Sequence, residues 1–531
     1  PHWATSFGIH RYDGDLPDMS RAAKLADIQA DREFVRELEA TDPAALSDRM
    51  AFERELSLHN ARLRLFEGGV SREWERTSTA TDDIGYALFL LMARDFAPLA
   101  ERLTSMTSRI EAIPVALDQV RDRLGEDTVR LWLEREAATA AELPELIADA
   151  GASADEVWPA GSPERERLRA AAHQAEAALL DYGAWLEDRV EDAGERVALG
   201  RDELDRLVEL RALEGLSTDQ ILAIGWEQLE AQHAKRREAG RLIDPALSED
   251  EVVARVKADG PADFGAALNG YRDAMFRARD HIEARDLATF PAGDRLEVVA
   301  TPKFMRSVLP LAAYFDPAAF DAESRGTYVV TPSVGDDPDA MREHNWSSMV
   351  NTSVHEAYPG HHLQLTAALA TPTPARLLAQ APEFVEGWGM YCEQMMLEEG
   401  FEDTPERRVM VATDAIWRAA RIILDIRLHR GEVTVDEGVD FLVEHTGFER
   451  AVARAEVQRY TTVPGYNLSY LLGKVLLLRL RDDERARLGE AFSLKGFHDA
   501  LLYSGSLPVS FHRRLLAGEG GGPTPASSAA A

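Results

Sequence analysis

Cysteine is almost absent: Cys392 is the only one among 531 residues. That excludes an intramolecular disulfide, and nothing in the chain demands an oxidising compartment. Basic residues are also few, 59 against 92 acidic, which sets the formal charge at −33. A field of that sign disfavours nucleic acid and anionic membranes as partners. No apolar run approaches the ~18 residues of a membrane span. No signal peptide is visible at Pro1. These absences lead us to expect a cytoplasmic chain, with an exported form that has lost its leader as the alternative. Strand signals are scarce as well, which excludes a β-rich fold.

What is present is helical. The chain is 45% hydrophobic, enough for a large core. From Met19 to about Ala284 apolar residues recur at steps of three and four. Ser162-Pro163 reads as a cap with proline at the first helical position. Leu168, Ala172, Ala175, Leu179, Tyr182 and Leu186 then form one stripe. Ser217, with Gln220 three residues on, reads as a capping box. Two β-branched runs, Leu296 to Thr301 and Gly326 to Thr331, each end at a proline. The fold class expected is mostly α, a multi-helix bundle with a small sheet before the helix that carries the histidines. We expect a helical lobe over 1–290, a catalytic lobe over 291–517 and a disordered tail over 518–531. Tyr328 to Thr331 is expected to be an exposed edge that binds extended peptide by main-chain hydrogen bonds. Ser333 to His344 reads as a mobile loop.

The chemistry is concentrated in His355-Glu356-Ala357-Tyr358-Pro359-Gly360-His361-His362 and Glu386-Gly387-Trp388. Two His and one Glu are a common ligand set for catalytic zinc, which keeps a fourth position open for water. A neighbouring carboxylate that is not a ligand, here Glu356, can act as general base. The spacing departs from H-E-x-x-H, where the two His share one helix face a turn apart. The second His is either His361 or His362. On an ideal helix the sixth residue on is rotated about 240° and rises about 9 Å; the seventh rises about 10.5 Å. The helix must therefore be bulged or broken between the ligands. Pro359 cannot bond back to the His355 carbonyl, and Gly360 lifts the steric limit on the next residue. Glu386 is the third ligand expected, with Glu383 and Glu393 as rivals or as acceptors for a ligand His.

The blocks HEAYPGHHLQ, EGWGMYCE, RAARIILDIRLH, PGYNLSYLLGK and FHDALL, with the opening ATSFGIHRYDGDLPD, resemble the bacterial domain-of-unknown-function 885 family over nearly the whole chain. That resemblance implies a fold similar to the helical zincin metallopeptidases of the thermostable carboxypeptidase, neurolysin and angiotensin-converting-enzyme type. It implies a deep cleft with the N-terminal lobe as one wall, and His361 as the second ligand, because the second His of that type follows a Gly. It also implies an oxyanion donor in the downstream Gly-Tyr segment. Tyr470 fits the pattern best; Tyr466 stands where many members have Gln.

The expected function is thus a zinc-dependent peptidase, with one Zn on His355, His361 and Glu386, Glu356 as base and Tyr470 or Tyr466 as oxyanion donor. Mn, Co or Ni would suit the same nitrogen and oxygen ligands. The expected partner is a peptide or small amide. Arg421 could hold a substrate carboxylate or serve as an ion-pair partner. His362 and the same-face pair Asp425 and His429 are candidates to support the ligands from behind. Two other readings stand beside this one: hydrolysis of a non-peptide amide or ester, and a metal-stabilised binding protein or degenerate enzyme.

Overall fold

The computed structural model describes residues 1–301, 306, 309, 311–321, 325–332, 341–370 and 373–522. Its chain divides into two compact units: Pro1–Glu37 with Arg64–Val197 and Ala318–Ser324, and Leu38–Leu63 with Ala198–Pro317 and Arg325–Ala531. The division expected at residue 290 therefore falls inside the second unit, because the helices after Val197 pack with the later ones.

In the first unit, α1 (Ala80–Ala93), α2 (Leu99–Arg123), α3 (Arg130–Val157) and α4 (Pro163–Val190) enclose a core that includes Leu88, Ile110, Leu133 and Leu179. The Ser162 hydroxyl accepts from the Arg165 amide at 3.3 Å and starts α4. The α4 stripe is buried as expected, with Ala172 partly buried against the core and Ala171 fully buried beside it.

The second unit holds α5 (Thr218–Ile243), opened by the Ser217–Gln220 capping box, and α6 (Phe264–Arg285). Then come β1 (Leu296–Ala300), β2 (Ala312–Phe315) and β3 (Gly326–Val330). The helices α7 (Trp346–Glu356), α8 (His361–Ala368), α9 (Pro382–Glu398), α10 (Pro405–His429) and α11 (Ser469–Leu488) follow. The fold is mostly α, as expected, with β1 and β3 at the two anticipated runs. β2 was not anticipated.

It changes the sheet. The strand order is β1-β3-β2, with β1 parallel and β2 antiparallel to β3. β3 is the middle strand, so its hydrogen-bonding groups are used on both sides, and it is not the edge expected of Tyr328 to Thr331. Tyr328 is fully buried, its ring edge-on to Tyr271 at 5.9 Å. A substrate-contacting role for Tyr328 is thereby corrected. Among the described residues the two edge strands are β1 and β2. Most of the 333–344 loop (333–340) and residues 523–531 of the expected tail lie outside the described residues; Glu519–Gly521 form a 3₁₀ turn.

Two helix crossings hold the second unit's core, and small residues set both. A Cβ on Gly225 of α5 would come within 3.0 Å of the Ile422 and Ile423 side chains of α10. A Cβ on Gly387 of α9 would lie 2.5 Å from the Gly473 carbonyl carbon of α11. In return, a Cβ on Gly473 would strike the Glu383 carbonyl oxygen. This crossing sets the depth of α9, which carries Glu386. Gly473→Ala should therefore cost about 1–3 kcal/mol of stability through overpacking. Urea unfolding measures it; an unchanged midpoint would show that α9 and α11 can separate freely.

Candidate metal centre

The helix that carries His355 stops where the sequence requires. Asn345 caps the start of α7, its side-chain oxygen accepting from the Ser348 amide at 2.8 Å. The last helical residue is Glu356; residues 357–360 leave the helix, and α8 starts at His361. Pro359 has no N–H to continue the ladder. The Gly360 amide instead donates to the Val354 carbonyl at 3.0 Å. A Cβ on Gly360 would collide with the His355 carbonyl, so only glycine fits this fold-back. Trp388 pins the break from α9, its indole N–H donating to the Pro359 carbonyl at 2.8 Å. The Glu-Gly-Trp motif thus has three tasks on one turn: Glu386 faces the histidines, Gly387 admits α11, and Trp388 holds the broken segment.

Because the helix breaks, His355 and His361 face each other. Their ring centroids are 4.7 Å apart and nearly perpendicular. Their Nε2 atoms lie 3.8 Å and 3.6 Å from one oxygen, Oε2 of Glu386. His355, Glu356 and His361 also present ligand atoms within 4.8 Å of one another. Either carboxylate could complete the pair, and Glu386 makes the closer approach to both rings. Tyr466 donates to the other oxygen of Glu386, Oε1, at 3.2 Å, which fixes the carboxylate's orientation. The Nδ1 of His355 is 2.7 Å from Glu393 Oε1, so Nδ1–H donates there and Nε2 is the ring atom that faces Glu386. Gly389 leaves room for that ring: a Cβ there would sit 2.6 Å from it.

The cluster concentrates negative charge in a buried place. Burial pulls the His355 pKa down, but Glu386, Glu393 and Glu356 outweigh it and raise it to about 10. Burial pushes Glu386 up, and the two histidines more than reverse this and hold it well below the usual carboxylate range. Glu393 is likewise pushed up by burial and brought below its usual value by His355, Arg418 and Lys474. Glu356 is raised, because burial exceeds the pull of His361 and His355. Three carboxylates gathered around two imidazoles favour positive charge between them, from a proton or a metal cation.

The remaining residues divide clearly. Tyr470 faces a cleft of about 900 Å³ that is also lined by His355, Glu356, His361 and Glu386. Tyr466 does not line it and acts on Glu386 from behind. Arg421 lines the cleft, but its Nη2 pairs with Glu456 at 3.0 Å and its Nε donates to the Tyr460 hydroxyl at 3.1 Å. It stacks on Trp417 and lies 4.9 Å from the Tyr470 ring centroid. The ion-pair reading is the one the geometry supports, and Arg421 props Tyr470.

His362 points away from His355, His361 and Glu386. Its Nε2 is 2.7 Å from Asp294 and its Nδ1 3.0 Å from the Tyr314 hydroxyl, in a network with Tyr358 and Arg279. It ties α8 to β2 and supports none of the three. Asp425 and His429 do not touch them either. Asp425 accepts from the amides of Gly465 and Asn467, at 2.8 and 3.2 Å, and from the Asn467 side chain at 3.0 Å. His429 Nε2 donates to the Tyr460 carbonyl at 3.1 Å. Asp425 holds the turn that delivers Tyr466, and His429 holds the end of the helix before it, Arg450–Tyr460. Of the rivals to Glu386, Glu383 is taken by Arg211 at 2.9 Å, and Glu393 is the acceptor behind His355. Leu311 to Tyr314 also line the cleft, so the edge strand β2 lies on its wall.

The fold and site define a mostly α-helical protein with a two-histidine, multi-carboxylate cluster on a cleft, beside an edge strand of a three-stranded sheet. The family is shown by its sequence model, "Bacterial protein of unknown function (DUF885)", which matches residues 1–516; the chain belongs to that family. Among solved structures it is similar to one from Shewanella oneidensis described as "a putative lipoprotein of unknown function". The identity is 20% and the TM-score 0.80, with 97% of this chain and 96% of that one covered. A "putative lipoprotein" from Colwellia psychrerythraea is similar at 18% identity and a TM-score of 0.79, covering 97% and 94%. At these identities the likeness shows the fold. No curated protein matches the chain. Among the described residues no helix is long and apolar enough to cross a membrane.

Asp425→Asn tests the turn that carries Tyr466. An amide offers one acceptor where the carboxylate serves three donors, and it sets an N–H₂ against one of them. The variant should lose about 1–3 kcal/mol in urea unfolding. A wild-type midpoint would mean that Gly465 to Asn467 is held by something else.

Proposed function

We propose that the chain is a metal-dependent peptidase of the zincin type, with one zinc ion held by His355, His361 and Glu386. The observation that carries this is the convergence of both Nε2 atoms on a single Glu386 oxygen at 3.8 and 3.6 Å. Two ligand atoms sharing a tetrahedral zinc at about 2.0–2.1 Å sit about 3.3 Å apart, so each imidazole is already near the separation from Glu386 that an ion needs. The Glu393 bond to Nδ1 of His355 gives the tautomer a ligand requires. Mn, Co and Ni fit the same donors. A metal held there would make water a nucleophile near neutral pH and polarise the scissile carbonyl.

The protein's own groups supply the rest. Glu356, half-buried and with its pKa raised, takes the proton from water and hands it to the leaving amine. Tyr470 donates its O–H to the developing oxyanion. Tyr466 keeps Glu386 from turning. The β2 edge offers main-chain hydrogen bonds to an extended peptide laid along the cleft. The helical zincin resemblance supports this reading. Hydrolysis of a non-peptide amide or ester uses the same groups and is the alternative. A degenerate or purely structural site is disfavoured because such a site fills all four positions and needs no base, whereas Glu356 is intact. The description of both structural relatives as lipoproteins supports an exported chain in preference to a cytoplasmic one.

Glu356→Gln, supplied with zinc, should keep the wild-type metal content and cleave a quenched-fluorescence peptide panel about 10²–10⁴-fold more slowly than wild type. Turnover at the wild-type rate would remove Glu356 from the chemistry. A wild-type protein that cleaves acyl amides or esters while leaving every peptide intact would move the assignment to the alternative.

A further inference from the structure

Further along α9 from the candidate metal centre lies a second cavity of about 220 Å³. Glu386 and Glu393 line the large cleft, whereas Gln394 and Leu397, in the last turns of α9, line this one. The volume corresponds to about seven waters. Leu242, Ala239, Val411 and Ala412 supply apolar wall.

Lys474 of α11 also lines it. This lysine is 3% exposed, and among the described residues its ammonium has no hydrogen bond or ion pair. A buried ammonium without a partner is costly. The carboxylates whose field reaches it are committed elsewhere. Glu398 accepts from Gln394 and Arg481, at 2.7 and 2.8 Å. Glu393 bonds His355 through Oε1, and its Oε2 is buried without a hydrogen-bond partner. Of the other cations lining the cavity, Lys235 is exposed and Arg408 is held by Asp403. Glu238 lines the cavity too and opposes a second negative charge.

We infer that this cavity binds a small monoanionic carboxylate with a short apolar tail, its charge on Lys474 and its tail against Leu242, Leu397, Val411 and Ala412. One buried cation selects a single negative charge, and the apolar wall selects a carbon chain over a bare inorganic ion. Burial pulls the Lys474 pKa down, and Glu393 and Glu398 draw it partly back, to about 8, so the ammonium is charged at neutral pH. Such an anion would compete with Glu393 for the Lys474 field, two steps from His355. The inference stands without the metal assignment.

The test is calorimetric titration of isovalerate into the full-length wild type, Lys474→Met and His355→Ala. Wild type and His355→Ala should bind one isovalerate per chain with similar affinity, and Lys474→Met should bind at least about tenfold more weakly. On the wild type, the neutral isostere isovaleramide should also bind at least about tenfold more weakly, a comparison that needs no variant to fold. No isovalerate binding by the wild type, or equal binding of the amide, would overturn the inference. Binding lost in His355→Ala and kept in Lys474→Met would also overturn it, by placing the carboxylate at the metal cluster.

Discussion

The second unit depends on a break in one helix. His355 and His361 lie six residues apart, a separation at which a continuous helix would turn their side chains to different faces. Ending α7 at Glu356 and restarting at His361 brings both rings onto one oxygen of Glu386. The break has a cost: Pro359 cannot bond, and residues 357–360 give up the regular ladder. Trp388 offsets part of that cost through the Pro359 carbonyl. Trp388 can do so only because Gly387 and Gly473 let α9 and α11 approach to backbone contact. Backbone geometry, helix packing and ligand placement are therefore one problem with one solution.

Around this break the side chains form supporting layers. Glu393 orients His355, Tyr466 orients Glu386, and Asp425 holds the turn that presents Tyr466. Arg421, pinned by Glu456 and Tyr460, backs Tyr470. These groups are buried or half-buried, and most of their polar atoms are satisfied by a neighbour in the next layer. Among the described residues, Glu393 Oε2 and His361 Nδ1 are buried without a hydrogen-bond partner, and the Lys474 ammonium has none either.

Much of this was legible in the sequence because the informative signals are local. Proline and glycine between two histidines announce a broken helix, and Ser162-Pro163 and Ser217 with Gln220 announce helix starts. The β1 and β3 runs were legible from β-branched residues. β2 was not: Ala-Ala-Tyr-Phe is four residues long, with no alternation between apolar and polar. Missing it left β3 looking like an edge and Tyr328 like a substrate contact. The roles of His362 and Asp425 were hidden for another reason. Their partners, Asp294 and the Gly465–Asn467 turn, are 68 and about 40 residues away, and sequence spacing does not report tertiary pairing. The unit boundary near residue 197 was hidden likewise, since α5 carries the same helical periodicity as the helices before it.

The central claim is that His355, His361 and Glu386 hold one metal ion while the adjacent His362 does not. Metal content per chain, measured after zinc loading and gel filtration, tests it directly in the wild type and in four variants: His355→Ala, His361→Ala, Glu386→Ala and His362→Ala. The account predicts about one zinc in the wild type and in His362→Ala, and its loss in the other three, as expected for a three-ligand site. A wild type without stoichiometric metal, or a zinc ion kept by His361→Ala and lost by His362→Ala, would contradict it.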